Sequence, residues 1–564
     1  EMCIRDSTSV DVPMNYEFYG TFNIGGVPMN SRTKTEVKDG KIRRHKQLVD
    51  NERLSSLSKV LNLNLSFTYE AEEERKTLSY GCIVVTVDQD LDGIGQIFGL
   101  LLSHVERFWP VLIRNGFVKH LATPIIRAFP KRGRQNVISF YTDSEYREWA
   151  EKKFGSVSAV DNSWEIKYYK GLATHNDSEA IHMFQHYNDS LYTMILDDEA
   201  ARMFEIYYGD DPKLRRTELI TTRNEFKVDS KLIDCKLIDC TKHLQTHTKD
   251  FQLDNILRKL PHLIDGLVPA RRKILCGSRK RFKQANTEVK VGQLAGYVAE
   301  HMNYHHGSAS LEKTIINMAQ NYVGANNLPL LLPLSQFGSR FMGGKDCGAS
   351  RYIKTKLNKE LVNALFREED DYVITYTHDE GETNEPVFYV PIAPYVLLES
   401  LEIPATGWKY SGFARRWDQL YANILALING EELKEMDFWC NKWNGTVIKV
   451  EDNDWFVGRY NFNRASNTIS VSELPFQVWN ESYIEKVQEK PVVVSVDDMS
   501  SKLNINITIK LKPKGIDTIY AECENKGHDE FDVIEEYFSL KTVSYTHLRA
   551  HETGRNLVCR LLLE

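Results

Sequence analysis

The stretch Gly81-Cys-Ile-Val-Val-Thr-Val-Asp-Gln-Asp-Leu-Asp-Gly93 decides the fold class of the first part of the chain. Its first seven residues are mostly apolar and β-branched, which is typical of a buried strand in a parallel sheet. Beyond the stretch, Ile97, Leu101 and Val105 recur at four-residue spacing, which predicts a helix with one apolar face. A strand that leads directly into a helix predicts an α/β fold for residues 8–175.

Three carboxylates follow the predicted strand. Asp88, Asp90 and Asp92 lie within five residues, and they repel one another unless a cation is present. The end of a strand is the edge at which an open α/β sheet usually binds its ligand. Hard oxygen donors of this kind suit Mg²⁺, with Mn²⁺ or Ca²⁺ as possible substitutes. The sequence therefore predicts a metal site at these three aspartates.

The acidic stretch has two other interpretations. An EF-hand loop shares its opening, but the twelfth position is Gly99 instead of Glu and the preceding element is a strand. A solvated acidic turn without a metal is the second alternative, and the motif alone leaves it open.

The composition of the whole chain sets broad limits. The chain has 564 residues, a net charge of −7 and nine cysteines. This length predicts about four domains, and cysteines without a framework spacing argue against a secreted, disulfide-stapled protein. No apolar run reaches the roughly 18 residues of a membrane span. We expect an intracellular multidomain protein with no membrane partner.

One region is basic within this acidic chain. From Ile256 to Lys290 there are ten Lys or Arg residues against Asp265 and Glu288. A local excess of positive charge would neutralise phosphates. A solvated charged face is the alternative, and the charge count by itself does not decide between them.

The last part of the chain changes character. Val387–Pro391, Gly445–Val450 and Ile505–Lys510 are short apolar or alternating runs, which predict a β-rich region over residues 361–525. The apolar spacing from Phe531 to Leu540 predicts the start of an amphipathic helix.

A tyrosine ends the loop that follows the basic region. Gln336-Phe-Gly-Ser-Arg-Phe-Met-Gly-Gly-Lys-Asp-Cys-Gly-Ala-Ser-Arg-Tyr352 is rich in Gly and Ser, which predicts a loop. A phenol has a free pKa of about 10 and needs a base or a cation nearby to act as a nucleophile. Arg351 could hold a phosphate beside it. The chain has 27 tyrosines, so this chemistry alone does not single out Tyr352.

Several motifs together resemble the single-chain type IIA DNA topoisomerases of eukaryotes and large DNA viruses. The aspartate stretch, Phe108-Trp-Pro110, Thr123-Pro-Ile125 and Tyr168-Tyr-Lys-Gly-Leu172 are similar to the TOPRIM region of that family. The run from Ser308 to Tyr352 is similar to its tyrosine-bearing winged helix. The resemblance covers about residues 15–540 and implies a mixed α/β and α+β multidomain fold.

The resemblance also implies a domain order. We expect a partial TOPRIM domain at 8–175, a helical linker at 176–245, a winged-helix domain at 246–360, a β-rich tower domain at 361–525 and the first turns of a coiled-coil gate at 526–542. Residues 1–7 and 543–564 resemble translated sequencing-adaptor reads, so we expect them to be artefacts.

The same resemblance implies roles for individual residues. Tyr352 would be the nucleophile that forms a 5′-phosphotyrosine, with Arg351, His306 and Arg272 assisting at the scissile phosphate. The positions implied to contact DNA are Arg271, Lys273, Tyr304, Ser310 and Lys170, and either Pro404 or Ile403 would be the apolar wedge between base pairs. Asp88, Asp90 and Asp92 would hold the metal.

The sequence departs from the family pattern at several positions. An Arg-Gly-Lys of the family is Gly25-Gly26-Val27 here, its Lys-Gly-Leu-Gly ends in Ala173, and a DNA-contacting lysine is Val268. The further metal ligand of the family, a glutamate in Glu-Gly-Asp-Ser-Ala, has no counterpart in this sequence.

The resemblance further implies cofactors and partners. We expect Mg²⁺ in this chain, ATP bound upstream in a longer enzyme, double-stranded DNA as substrate and a homodimer, because two cuts need two tyrosines. The location would be the nucleus, or a viral factory in the host cytoplasm. A non-cleaving DNA-binding and bending module, and a TOPRIM nuclease or primase, are the alternative functions.

Overall fold

The computed structural model describes residues 19–38, 41–131, 137–141, 143–156, 160, 163–169, 187–188, 190–222, 236–379, 382–450, 453–523 and 530–543. The chain divides into two compact units: residues 1–256 with Thr406–Trp408, and residues 257–405 with 409–564. None of the helices in the described ranges is long and apolar enough to cross a membrane.

Strands and helices alternate in the first unit. Its α-helices are α1 (Lys46–Val49), α2 (Glu52–Leu61), α3 (Glu72–Lys76), α4 (Gly99–Phe108), α5 (Pro110–Arg114), α6 (Asp143–Phe154), α7 (Ala200–Tyr208), α8 (Pro212–Thr221), α9 (Cys240–His243) and α10 (Lys249–Lys259). Its strands are β1 (Thr35–Lys38), β2 (Lys41–Arg44), β3 (Ile83–Val85), β4 (Val118–Leu121), β5 (Ile126–Pro130), β6 (Ile138–Phe140), β7 (Trp164–Tyr168), β8 (Leu191–Ile195) and β9 (Leu237–Asp239).

The strand predicted before the aspartates is confirmed. It is β3, which pairs in parallel with β4 so that Ile83 lies opposite Val118. The helix predicted after the aspartates is also present, as a π-helix over Leu91–Phe98 that continues into α4. The side chains of β3 are only partly buried, so the apolar run predicted the strand correctly but overstated its burial.

Residues 176–245, predicted to be a helical linker, also contribute strands to a sheet. In the described part of this region, β8 and β9 join the sheet of β3 in the order β3-β4-β8-β9. β8 runs antiparallel to β4 and parallel to β9. The linker prediction failed here because these strands pair with partners that are distant along the chain.

The helices cover this sheet with a continuous apolar core. Its large, fully buried side chains include Phe98, Leu102, Trp109, Leu112 and Phe204, from α4, α5, α7 and the segments beside them. Burying one such side chain contributes about 1.5–3 kcal/mol.

The second unit begins with helices and continues with strands. Its α-helices are α11 (Pro269–Arg281), α12 (Val291–His301), α13 (Ser308–Ala319), α14 (Lys359–Leu365), α15 (Trp417–Ile428), α16 (Asn480–Gln488), α17 (Gly515–Cys523) and α18 (Glu530–Tyr537). Its strands are β10 (Val289–Lys290), β11 (Leu331–Pro333), β12 (Lys354–Leu357), β13 (Tyr376–Asp379), β14 (Glu382–Pro386), β15 (Leu401–Ala405), β16 (Trp408–Gly412), β17 (Thr446–Val450), β18 (Asn453–Val457), β19 (Arg459–Asn463), β20 (Thr468–Glu473), β21 (Val493–Asp498), β22 (Ile507–Leu511) and β23 (Lys541–Val543).

The helices α11, α12 and α13 pack beside a small antiparallel sheet. Its order is β10-β12-β11, so β12 is the central strand. A shared core lies between helices and sheet and includes Ile274, Leu294, Leu311 and Ile353. This sheet positions the tyrosine loop, because β11 and β12 are the strands on either side of it.

The β-rich region contains four-stranded, three-stranded and two-stranded sheets. The largest has the order β19-β20-β22-β21 and is antiparallel throughout. Two of the three predicted runs are strands, but Val387–Pro391 is not. The amide of Tyr389 donates instead to the buried Asp265 carboxylate, 3.0 Å away, and its ring is buried.

The terminal helix is shorter than predicted. The pattern from Phe531 to Leu540 predicted one helix, but α18 ends at Tyr537 and Ser539 has a φ of 54°. The chain then forms β23, which pairs with β18. The apolar residues at the end of the pattern, Phe538 and Leu540, are buried in the core instead of continuing a coiled coil.

Candidate active site

The tyrosine loop, Gln336–Tyr352, is closed by its own backbone. The amide of Gly348 donates to the carbonyl of Gln336 at 3.0 Å, and the amide of Gly344 donates to that of Ser339 at 2.9 Å. The Asp346 carboxylate accepts from both the amide and the hydroxyl of Ser339, at 2.9 and 2.7 Å. These bonds replace regular secondary structure and hold the loop in a defined shape.

Two glycines are required by that shape. Gly338 and Gly344 have φ values of 91° and 81°, a region that side chains with a Cβ rarely adopt. A Cβ on Gly338 would lie 2.6 Å from the Cα of Gly344. Gly338 and Gly344, which contribute to the glycine content that predicted a loop, therefore let two backbone segments of the loop lie close together.

Tyr352 is presented to solvent at the end of this loop. Its side chain is 68% exposed, whereas the next residue, Ile353, is buried in the core. The backbone on either side is fixed by the first amides of α12: Val291 donates to the Ile353 carbonyl at 3.0 Å and Gly292 to the Ser350 carbonyl at 3.1 Å. The phenol thus projects from an anchored backbone, as a nucleophile for a large substrate requires.

Arg351 lies beside the phenol. Its guanidinium carbon is 5.2 Å from the centre of the Tyr352 ring, within the range of a cation–π contact. Arg351 is itself exposed. The pair therefore offers a hydroxyl and a cation on the same open surface.

A second group of predicted site residues follows α12. The rings of Tyr304 and His306 meet edge to face at 5.4 Å, and His306 Nε2 lies 3.5 Å from Arg258 Nη1. Ser310 is exposed in the first turn of α13, and its amide donates to the Gly307 carbonyl at 3.0 Å. These predicted DNA-facing residues lie on one loop and the helix that it begins.

Arg272 has a different environment from that of an exposed catalytic group. It is buried, and its guanidinium donates to both oxygens of Asp265, at 2.7 and 3.0 Å, and to the Leu267 carbonyl at 2.9 Å. Asp265 also accepts from the amide of Leu267 at 2.9 Å. In this structure Arg272 holds the segment that leads into α11, and its predicted role at the phosphate stays a prediction.

The neighbouring basic residues are partly buried. The Lys273 ammonium donates to the Met302 carbonyl at 2.7 Å and pairs with Glu385 at 2.8 Å. Arg271 is half-buried, and its charge acts on the buried carboxyl of Glu399. Part of the basic excess in this region therefore stabilises the fold.

The three aspartates lie where the sequence predicted them, after β3. Asp88 and Asp90 are exposed and Asp92 is partly buried. One oxygen of Asp90 accepts from the Gly93 amide at 2.6 Å and so caps the following helix. Among the described residues, no three His, Cys, Asp or Glu side chains form a group that could hold a metal. The donors suit Mg²⁺, which keeps several waters, but they are not a complete protein ligand set.

The two wedge candidates lie on β15. Pro404 is exposed and Ile403 is partly buried. The exposure favours Pro404 as the residue that could insert between base pairs. Lys170, the remaining DNA-binding prediction, lies outside the described residues.

Sequence reasoning missed two buried acidic residues of the second unit. Glu399 accepts from the amides of Asn327 and Leu328, at 3.0 and 2.5 Å, and burial raises its pKa to about 7. Glu473 pairs with Arg340 of the tyrosine loop. The signal in each case was an acidic residue next to apolar ones, in Val396-Leu-Leu-Glu399 and Val471-Ser-Glu-Leu474.

Two family models match long stretches of this chain. Residues 258–545 match the family model for the A subunit of DNA gyrase/topoisomerase IV, and residues 121–255 match the C-terminal associated domain of TOPRIM. The second match begins inside the predicted TOPRIM domain and covers the predicted linker.

Whole proteins and a solved structure are also similar to this chain. DNA topoisomerase 2 of African swine fever virus is 37% identical over 562 residues, which is 95% of this chain and 46% of the viral protein. Mouse DNA topoisomerase 2-alpha is 34% identical over 94% of this chain and 34% of its own length. The crystal structure of the Plasmodium falciparum topoisomerase II DNA-binding, cleavage and re-ligation domain has a TM-score of 0.72 and 29% identity, covering 95% of this chain and 72% of that one.

The mixed α/β fold is similar to that of a solved topoisomerase II domain whose title describes DNA binding, cleavage and re-ligation. The chain belongs to the type IIA DNA topoisomerase family. It spans about half the length of the viral relatives that it matches. Membership of this family implies the use of a divalent metal.

Proposed function

We propose that this chain breaks and rejoins double-stranded DNA through Tyr352, as the core of a type II topoisomerase that changes DNA topology. The observation that carries the proposal is the exposed phenol beside Arg351 on an anchored loop. The family match over residues 258–545 supports it, because this range contains the whole loop.

The proposed reaction exchanges one phosphodiester bond for another, so it needs no input of energy. The Tyr352 oxygen attacks a backbone phosphorus while the phenolic proton passes to solvent or a base, and the 3′ oxygen of the cut strand leaves and takes up a proton. The product is a phosphodiester between Tyr352 and the 5′ phosphate. Attack by the same 3′ hydroxyl reverses the step, so religation needs no cofactor.

Charged neighbours would stabilise the transferring phosphoryl group. Arg351 is placed to bind its non-bridging oxygens, since a guanidinium makes paired hydrogen bonds to phosphate. His306 is exposed and carries a ring nitrogen near the cation of Arg258. We assign these two residues to the scissile phosphate.

The metal would be Mg²⁺ held at Asp88, Asp90 and Asp92. When bound, Mg²⁺ supplies positive charge to phosphate oxygens and commonly keeps water molecules as its other ligands. The exposed carboxylates of Asp88 and Asp90 are suitable donors, and further ligands would come from water, DNA or groups outside the described residues.

The DNA would lie across residues of the second unit. Arg271, Lys273, Tyr304 and Ser310 are proposed to contact its backbone, within a winged-helix domain at 246–360. A tower domain at 361–525 would bend the duplex through the exposed Pro404, as apolar wedges do in other DNA-bending proteins.

The assembly and setting follow from the same proposal. Two cuts in one duplex require two tyrosines, so the active form would be a homodimer. ATP would be needed only for strand passage, in an enzyme that also carries an ATPase region. The location would be the nucleus or a viral factory in the host cytoplasm.

A covalent trap tests the central step. A duplex with sulfur in place of the 3′ bridging oxygen at the cut site gives a thiol leaving group, so religation is slow and the adduct accumulates. Because a metal ligand of the family has no counterpart in this sequence, we expect this chain with Mg²⁺ to cleave slowly. The adduct should still accumulate on the trap and survive denaturation, whereas the Tyr352→Phe variant should form none while binding DNA with unchanged affinity.

Tyr372→Phe is the matched control, because Tyr372 is a 90% exposed tyrosine of the same unit. Adducts with Tyr352→Phe at the wild-type level would contradict the proposal. Tight DNA binding with no adduct from any variant would favour a non-cleaving module, and cut DNA free of protein would favour a nuclease.

A further inference from the structure

A buried ion pair joins the tyrosine loop to the large antiparallel sheet. Arg340 and Glu473 are 4% and 2% exposed, and Arg340 Nη2 lies 2.5 Å from Glu473 Oε1. Glu473 ends β20 and also accepts from the amides of Leu474 and Asn444, at 2.9 and 3.2 Å. Two backbone amides therefore hold the Glu473 carboxylate in addition to its contact with the loop.

Arg340 has few other partners. Its Nε and Nη1 atoms are buried and make no hydrogen bond to the described residues. A buried guanidinium with one carboxylate partner depends strongly on it, because removal of that partner leaves an uncompensated charge away from water. Glu473 consequently determines where Arg340 can lie.

Two further contacts join the same parts of the chain. The Glu481 amide donates to the Phe341 carbonyl at 3.1 Å. The Trp479 indole covers Gly343 so closely that a Cβ there would lie 2.5 Å from Trp479 Nε1. We call Glu473–Glu481 the docking segment, and these three contacts with the tyrosine loop fall within residues 340–343.

The docked residues are connected to the nucleophile inside the loop. Arg340 follows Ser339, which Asp346 binds by both backbone and side chain. The turn is completed by the Gly344 and Gly348 amides, and the loop then reaches Tyr352. A shift of the docking segment would pass through these bonds to the end of the loop.

We propose that Glu473 and Arg340 are positioning residues, through which the sheet of β20 sets the attack geometry of Tyr352. Neither residue touches the reacting atoms. The inference rests on the proposed function of Tyr352 and adds a long-range partner to it. Since a displacement of about 1 Å can cost on the order of 100-fold in rate, loss of the pair is expected to slow cleavage without weakening DNA binding.

The test measures single-turnover cleavage of the sulfur-containing duplex at saturating DNA. Glu473→Gln keeps the size and the oxygen acceptor but removes the charge. We expect its rate to fall by about tenfold or more, its DNA affinity to stay within about twofold, and exchange of the Gly344 and Gly348 amides with deuterium to accelerate. Arg340→Lys should keep more of the rate than Arg340→Met, because an ammonium can still pair with Glu473.

Asp497→Asn is the matched control. It removes the charge of an exposed ion pair with Lys510 on the same sheet, and it should leave rate and exchange unchanged. A folded Glu473→Gln variant that cleaves at the wild-type rate would overturn the proposal. If that variant does not fold, equal rates for Arg340→Lys and Arg340→Met would overturn it.

The failure of the two proposals can be told apart. A wild-type chain that forms no adduct would contradict the function of Tyr352. A wild-type chain that cleaves normally, together with an equally active Glu473→Gln variant, would contradict only the positioning role.

Discussion

At the scale of single residues, the same basic run contains two kinds of side chain. Arg271 is partly exposed, while Arg272 is buried against Asp265. Charge counting over Ile256–Lys290 cannot distinguish them, because both add one positive charge. The difference comes from Asp265. In the charge count it only reduces the positive excess of the region, but in the fold it binds Arg272.

Removal of this buried partner should be costly. We expect Asp265→Ala to lower the free energy of unfolding by about 3–5 kcal/mol, since it leaves Arg272 buried and unpaired and frees the amides of Leu267 and Tyr389. Urea unfolding followed by tryptophan fluorescence measures the change. Asp497→Asn, which breaks the exposed pair with Lys510, should cost at most about 1 kcal/mol. Equal losses for the two variants would show that burial of the Asp265 pair does not matter.

At the scale of elements, the helices and strands of the first unit enclose histidines among apolar side chains. Burial lowers the pKa of His104 on α4 and of His247 to about 4, and that of His120 on β4 to about 3. Secondary contributions come from Arg44 at His104 and from His247 at His120. These imidazoles are therefore neutral in the folded unit at neutral pH.

The lowered pKa values predict a loss of stability in acid. The unfolded chain takes up protons below its ordinary histidine pKa of about 6.5, whereas the folded unit does not until pH 3–4. The stabilisation is thus complete above pH 6.5 and is lost as the pH falls towards the folded values, by up to about 1.4 kcal/mol per histidine and pH unit.

Thermal unfolding of the chain between pH 7.5 and 5 measures this dependence. His247→Gln should flatten the acid side of the curve, because one proton acceptor with a lowered pKa is removed. The exposed His45, changed to Gln, is the control and should leave the slope unchanged. A first unit whose stability is constant from pH 7.5 to 5 would contradict the assignment of neutral histidines.

At the scale of the whole molecule, local patterns predicted local structure. The apolar run before Asp88 forms β3, and the glycine-rich stretch forms the tyrosine loop. In each case the residues that specify the structure lie next to one another in sequence. The chemistry of Tyr352 alone did not distinguish it from the other tyrosines. Only the resemblance of whole motifs singled it out as the predicted nucleophile.

Long-range contacts were beyond such patterns. Strand β8 pairs with β4 and with β9, and Arg340 contacts Glu473 across 133 residues of sequence. The position at which α18 ends is likewise a tertiary effect, because Phe538 and Leu540 are buried in the core. A single sequence shows which side chains are present but not which of them meet, because tertiary packing decides both the contacts and the burial.

The most direct test of cleavage by Tyr352 is to identify the residue that carries the DNA. The trapped adduct would be digested with nuclease and protease, and the modified peptide sequenced by mass spectrometry. We predict a nucleotide joined through its 5′ phosphate to the oxygen of Tyr352. A nucleotide on any other residue, or a 3′ linkage, would contradict the proposed mechanism.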